Sequence, residues 1–278
     1  MNASVQIRVQ KIMEELVLRE TIGPVAVVTL NRPQRHNSLV PKLLRALSDA
    51  LAAVKGDESV RAVVLQANGR SFSTGGDAKG FVDHADDIEV YSREIVGLLN
   101  QAILALIDLP VPVVTAVHGV VTGGSLGFIL GSDIVLIAPD TGFTPFYSVV
   151  GPSPDGGWAG VLPLLIGPHR AAEVLYLNET IDAETAVSWG LANRIIPAGH
   201  IQEEALDIAN QIAAKKPGSI RHTKRLLHWH RDELVARLDA ELAHFVDEMV
   251  NGAGLIGFQE FVDQLKARRT TADTEKNE

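Results

Sequence analysis

The chain has 278 residues, 46% of them hydrophobic and 21% charged, with a formal net charge of −9. That length allows one large domain with or without a helical appendage, and the apolar share allows a sizeable core and argues against a disordered chain. The acidic balance argues against nucleic acid as a partner, and the absence of cysteine excludes disulfides, thiolate catalysis and cysteine-held metal centres.

The first residues carry Arg8 and Lys11 and no continuous apolar run, so residues 1–13 read as a flexible, untargeted start. Short β-branched runs follow at 25–30, 62–66, 111–117 and 134–138, of the near-continuous kind buried on both faces of a sheet. Helices alternate with them. Residues 41–54 place Leu43, Leu44, Leu47, Leu51 and Val54 on one stripe behind a proline at the first turn. Residues 92–109 form a second amphipathic helix, stopped by Pro110, and 126–131 a short apolar one. Strands alternating with helices predict an α/β core over 14–200. The apolar region 95–121 holds Asp108, Pro110 and Pro112 and is not a membrane span, so neither a membrane nor nucleic acid is expected as a partner. From Ile201 onward the pattern is helical, with predicted helices over 201–215, 219–238 and 257–269. These make a helical subdomain over 201–270, and the polar residues 271–278 read as a disordered tail. A reducing compartment fits the missing cysteine, and a cytoplasmic location is expected.

Three segments carry candidate chemistry. The first, Ser71-Phe72-Ser73-Thr74-Gly75-Gly76-Asp77, follows the 62–66 strand and offers a strip of backbone donors, with the Ser73 amide as the donor of interest. Its plain alternative is a glycine-rich loop in which Asp77 caps a helix. The second, His118 to Ser125, follows the 111–117 strand and ends at a helix start, where N–H groups lack intrahelical partners. There the Gly124 amide, with Gly123 beside it, can face an oxyanion. The third, Gly151-Pro152-Ser153-Pro154-Asp155-Gly156-Gly157, isolates one carboxylate among glycines and prolines. Asp155 is either a buried proton carrier or a turn residue before Trp158.

These segments, with Leu30-Asn31-Arg32-Pro33 and Asn37, Gly131-Ser132-Asp133 and Gly190-Leu191-Ala192, resemble the crotonase superfamily, the enoyl-CoA hydratase/isomerase family, from Glu14 to Arg269. The resemblance implies a spiral of ββα turns with a helical trimerisation tail packed on a neighbouring subunit, in a homotrimer or dimer of trimers. It implies an acyl-CoA thioester substrate whose enolate is held by the amides of Ser73 and Gly124. It also implies contacts to coenzyme A from Arg35, Thr74, Gly75, Gly76, Asp77 and Lys79, and from Lys224 on a phosphate. No metal or redox cofactor is implied, since coenzyme A is part of the substrate.

Departures from the family pattern decide the chemistry. The two glutamates that hydratases of the family use would fall at Gly127 and Tyr147, and neither is a carboxylate. Asp155 resembles the single aspartate of the isomerase branches, so the expectation is an enoyl-CoA isomerase. In it Asp155 shuttles a proton, and Tyr147 and Trp158 shape the acyl pocket. Two alternatives stay open: hydration with Asp155 alone, and a non-catalytic acyl-CoA-binding oligomer. Dehalogenation of an aryl thioester ranks lower, because the helix after the first loop carries Asn100 and no histidine. In the closing helix Gln264 stands where the family often has lysine, leaving Lys266 as the possible substitute.

Overall fold

The described residues form nine strands: β1 (Val17–Ile22), β2 (Val25–Leu30), β3 (Ala62–Ala67), β4 (Val113–Val117), β5 (Val120–Thr122), β6 (Ile134–Ile137), β7 (Gly142–Thr144), β8 (Ile181–Asp182) and β9 (Arg194–Ile195). They come from a computed structural model that describes residues 15–228 and 230–275. The main sheet has the order β1-β2-β3-β4-β6-β9, and β5-β7-β8 form a smaller one. Strands β2, β3, β4, β6 and β9 run parallel, and β1 is antiparallel at the edge. β1 carries no continuous apolar run, since its residues Arg19 to Ile22 are exposed; the turn at Gly23 (φ +58°) folds it back on β2.

Alternate residues of β2 and β3 face two different cores. Ala26, Val28, Leu30, Val63 and Leu65 pack in the larger core with the leucine stripe of helix Pro41–Lys55 and with helix Ile88–Ile107. Val25, Val27, Ala62 and Val64 face the other way, onto Ile201, Ala205 and Ile208 of helix Ile201–Ala213. Leu43, Leu44 and Leu47 are wholly buried, and each such side chain contributes roughly 1.5–3 kcal/mol of transfer free energy. Helix Ile88–Ile107 is apolar enough to cross a membrane by composition alone, but Ile95, Val96, Leu99, Ile103 and Leu106 are spent in this core.

Beyond Ile201 the described residues are helical. The single helix expected over 219–238 is two, Pro217–Leu227 and Arg231–Asn251. The corner is pinned by polar ties: Lys224 and His228 both reach Asp133, and at the surface Arg231 grips Asp108 at 2.7 and 2.8 Å. The last helix, Gly254–Glu275, continues through the first part of the expected disordered tail. Residues 276–278 of that tail, and the expected flexible start at 1–13, lie outside the described residues. Within the chain, the last two helices pack on the core. Asn100 Nδ2 donates to Leu238 O at 3.1 Å, and Phe258 stacks on Phe81 at 4.5 Å.

Candidate active site

Because β3 and β4 are adjacent and parallel, with Val63 opposite Val113, the loops that follow them leave the sheet side by side at one end. The first loop then joins the second sheet. Ser73 bridges to Val121, its amide donating to Val120 O at 3.3 Å and its carbonyl accepting from Thr122 at 3.1 Å. This corrects the assignment of Ser73: its N–H is spent on backbone pairing and faces no ligand. Its hydroxyl is spent too, on Asn37 O and Ser125 Oγ.

The neighbouring donors are also taken. Thr74 donates to His36 O at 3.1 Å, Gly75 to Ser125 Oγ at 3.0 Å and Asp77 to Leu39 O at 2.9 Å. Gly75 must be glycine: its φ is +69°, and a Cβ would sit 2.7 Å from Thr122 O. Among the described residues no acceptor is found for the Gly76 amide, nor for that of Gly124 in the first turn ahead of helix Leu126–Leu130. The available donor pair is therefore Gly76 and Gly124.

Asp155 lies against the second of these. A Cβ built on Gly124 would be 3.0 and 3.1 Å from the two Asp155 carboxylate oxygens. Asp155 is buried, and Tyr147 donates its hydroxyl to Asp155 Oδ1 at 2.5 Å, so Oδ2 is the oxygen the phenol does not hold. Burial pushes the Asp155 carboxyl up to about 6, against the lowering effect of the Tyr147 hydrogen bond. Burial and the adjacent Asp155 charge raise the Tyr147 phenol well above its ordinary range, so Tyr147 stays a donor and is no base. Trp158 is fully buried, and its indole N–H donates to Gly123 O at 2.7 Å, tying the Asp155 turn to the second loop. Gly156 packs directly on Gly124: a Cβ there would overlap the Gly124 backbone.

The position of the hydratases' first glutamate is occupied differently. A Cβ on Gly127 would overlap Ile103 Cδ1 and come within 3.0 Å of Gly156 O. Ile103 from helix Ile88–Ile107 thus fills the space a side chain at 127 would need. Asn100, on the same helix, is buried with its Nδ2 on Leu238 O, and an amide is no base.

Two expected binding residues are corrected. Asp77 is 6% exposed and caps helix Ala78–Asp83 while pairing with Arg32 at 2.8 Å and Arg35 at 3.0 Å. Burial pushes its carboxyl up, but both guanidiniums outweigh that and hold it below the usual range. Asp77 is therefore a fastener between loops, and Arg35 (41% exposed) serves it with one face and keeps the rest open to solvent. Lys224 is buried, its ammonium donating to Leu106 O, Val111 O and Asp133 Oδ2, and no phosphate can reach it. Lys79 stays at the surface, paired with Asp83 across one helical turn, and Lys266 pairs with Asp263.

A further carboxylate, Glu241, went unnoticed in the sequence. It comes from helix Arg231–Asn251 and accepts from Gly157 at 2.7 Å and from Ala159 and Gly160 at 2.8 Å each. The signal was present: Glu241 interrupts the buried stripe Leu238, Glu241, Phe245, Met249.

The arrangement is a crotonase fold with one buried carboxylate beside a pair of open amides. The model of the Enoyl-CoA hydratase/isomerase family matches residues 20–270, and the chain belongs to that family. It is 37% identical over 238 residues to a probable enoyl-CoA hydratase of Mycobacterium bovis, covering 81% of this chain and 82% of the relative. It is 30% identical over 204 residues to the 1,2-epoxyphenylacetyl-CoA isomerase of Escherichia coli, covering 73% and 78%. A crystal structure of an enoyl-CoA hydratase/isomerase from Mycobacterium paratuberculosis aligns with a TM-score of 0.82 at 27% identity, covering 89% of this chain and 99% of the other.

Proposed function

We propose that this enzyme is an enoyl-CoA isomerase in which Asp155 carries a proton between the α- and γ-carbons of an unsaturated acyl-CoA thioester. One observation carries the reading. The carboxylate packed against Gly124 is that of Asp155, while the hydratase position at 127 is a glycine whose space Ile103 fills. Oδ2 of Asp155 removes the α-proton of a 3-enoyl thioester. The C–H electron pair delocalises into a dienolate, and negative charge gathers on the thioester oxygen. The Gly76 and Gly124 amides donate to that oxygen, a role that removing one donor would weaken by on the order of 10²-fold. Protonated Asp155 then returns the proton to the γ-carbon, and the double bond closes between the α- and β-carbons. A carboxyl near 6 is mostly ionised at neutral pH yet basic enough to take the proton. Hydration needs a water held beside position 127, where Ile103 sits instead.

The test is mass spectrometry of 3-enoyl-CoA and 2-enoyl-CoA incubated with the enzyme in D₂O. Double-bond migration, with deuterium at the α- or γ-carbon, is the expected result. A product heavier by one water would overturn the reading in favour of hydration. Bound thioesters that neither isomerise nor exchange would leave a binder.

The same geometry predicts the fate of a restored glutamate. Gly127→Glu should gain no hydratase activity and lose roughly 1–3 kcal/mol of stability, because the added side chain overpacks Ile103. A denaturant midpoint equal to wild type, or a hydrated product, would contradict this.

A further inference from the structure

Resting on the assignment of Asp155 as the proton carrier, we propose that Glu241 is a positioning residue that clamps the Asp155 turn from the side opposite Gly124. The turn has no regular structure of its own: Gly156 (φ +64°) and Gly157 (φ +90°) are both left-handed, and residues 151–161 form neither strand nor helix. Such a segment holds a side chain in place only through outside ties. On one side those ties are the Gly156–Gly124 contact, the Tyr147 hydroxyl on Asp155 and the Trp158 indole on Gly123 O. On the other, hydrogen bonds come from helix Arg231–Asn251. Glu241 Oε2 accepts the Gly157 amide, Oε1 accepts those of Ala159 and Gly160, and Arg237 Nη1 donates to Gly160 O at 3.1 Å.

Three amides converging on one buried carboxylate form an anion nest inside the protein, and its occupant is a side chain. Both carboxylate oxygens are engaged by these amides, so Glu241 holds the turn and does not itself carry the proton. Burial pushes its carboxyl up to about 7, the three amides pull it back, and the Asp155 charge pushes it up again. The helix bearing Glu241 also docks on helix Ile88–Ile107, whose Leu99 and Ile103 touch Gly124 and Gly127. Glu241 therefore registers the Asp155 carboxylate against the same helix that registers the Gly124 amide.

The experiment compares Glu241→Gln and Glu241→Asp with Asp155→Asn in the 3-enoyl-CoA isomerisation assay, measuring kcat, KM and melting temperature for each. Glutamine presents an NH₂ to at least one of the three N–H groups, and aspartate keeps the charge but is one carbon too short. A displacement of Asp155 by about 1 Å is enough to cost on the order of 10²-fold. The expected result is a fall in kcat of at least ~10-fold in E241Q, with KM within ~2-fold, since the thioester-binding loops are untouched. E241D should fall between E241Q and wild type. A purely structural role would instead lower the melting temperature and leave the kcat of the folded fraction intact. If D155N is inactive while E241Q and E241D keep wild-type kcat, the clamp is refuted and the isomerase reading stands. If D155N keeps wild-type turnover, the reading of Asp155 fails first and the clamp with it.

Discussion

Asp155→Asn is expected to lower kcat on a 3-enoyl-CoA by at least ~10²-fold while thioester affinity stays within ~2-fold of wild type. Asparagine fills the same volume and still accepts the Tyr147 hydroxyl, so the pocket keeps its shape. What it lacks is a group that can take and return a proton. The loss should therefore fall on kcat, with α-proton exchange in D₂O disappearing in parallel. Wild-type turnover in the asparagine variant would sink the mechanism.

The pH dependence follows from the same carboxyl. Only ionised Asp155 can remove a proton, so wild-type kcat/KM should rise with pH through about 6 and then level off. Stability runs the other way. The folded-state value lies above the ordinary 3.8, so the native state binds this proton more tightly than the unfolded chain does. The contribution is complete below 3.8, declines as pH rises to about 6, and stays lost above it. At pH 8 the D155N variant lacks a buried charge and should melt no lower than wild type, which separates lost chemistry from lost folding.

Lys224→Met is expected to cost about 3 kcal/mol of stability, read as a shift in denaturant midpoint, with kcat little changed in the protein that folds. Lys224 is 4% exposed and Asp133 10%, and their 2.8 Å pair is tied into two carbonyls, Leu106 O and Val111 O. Methionine matches the length and leaves Asp133 buried with His228 and the Val113 amide as its remaining partners. Burial pushes the Asp133 carboxyl up, but the His228 hydrogen bond and the Lys224 ammonium hold it below its ordinary value. That stabilisation is present at neutral pH and is lost as pH falls through the folded-state value, so the variant's deficit should shrink in acid. Loss of thioester affinity without loss of stability would instead restore Lys224 to the binding site.

Much of this protein was legible without coordinates. The parallel strands, the leucine-striped helix, the two glycine-rich turns and the isolated Asp155 are local patterns. A run of β-branched residues, a 3.6-residue stripe or a carboxylate between glycines states its own conformational preference. The departures at Gly127 and Tyr147 were likewise read directly, since a missing carboxylate needs no fold to be noticed. β1 was hidden for a local reason too: an edge strand with polar outward residues lacks the apolar run of a buried one.

What only the tertiary structure decided is where each hydrogen-bonding group is spent. Ser73 and Gly76 are neighbours in one glycine-rich strip with equally plausible amides. Pairing with Val120, a residue from another strand, consumes the first and leaves the second open. Lys224 reads as a surface lysine on a basic helix until Asp133, far away in the chain, draws it into the interior. Glu241 gains its role only when a helix more than 80 residues away meets the amides of the Asp155 turn. Composition and spacing determine which groups a chain possesses; partners remote in sequence determine which of them remain free to act, because each N–H and each carboxylate oxygen can satisfy only the neighbours that folding brings to it.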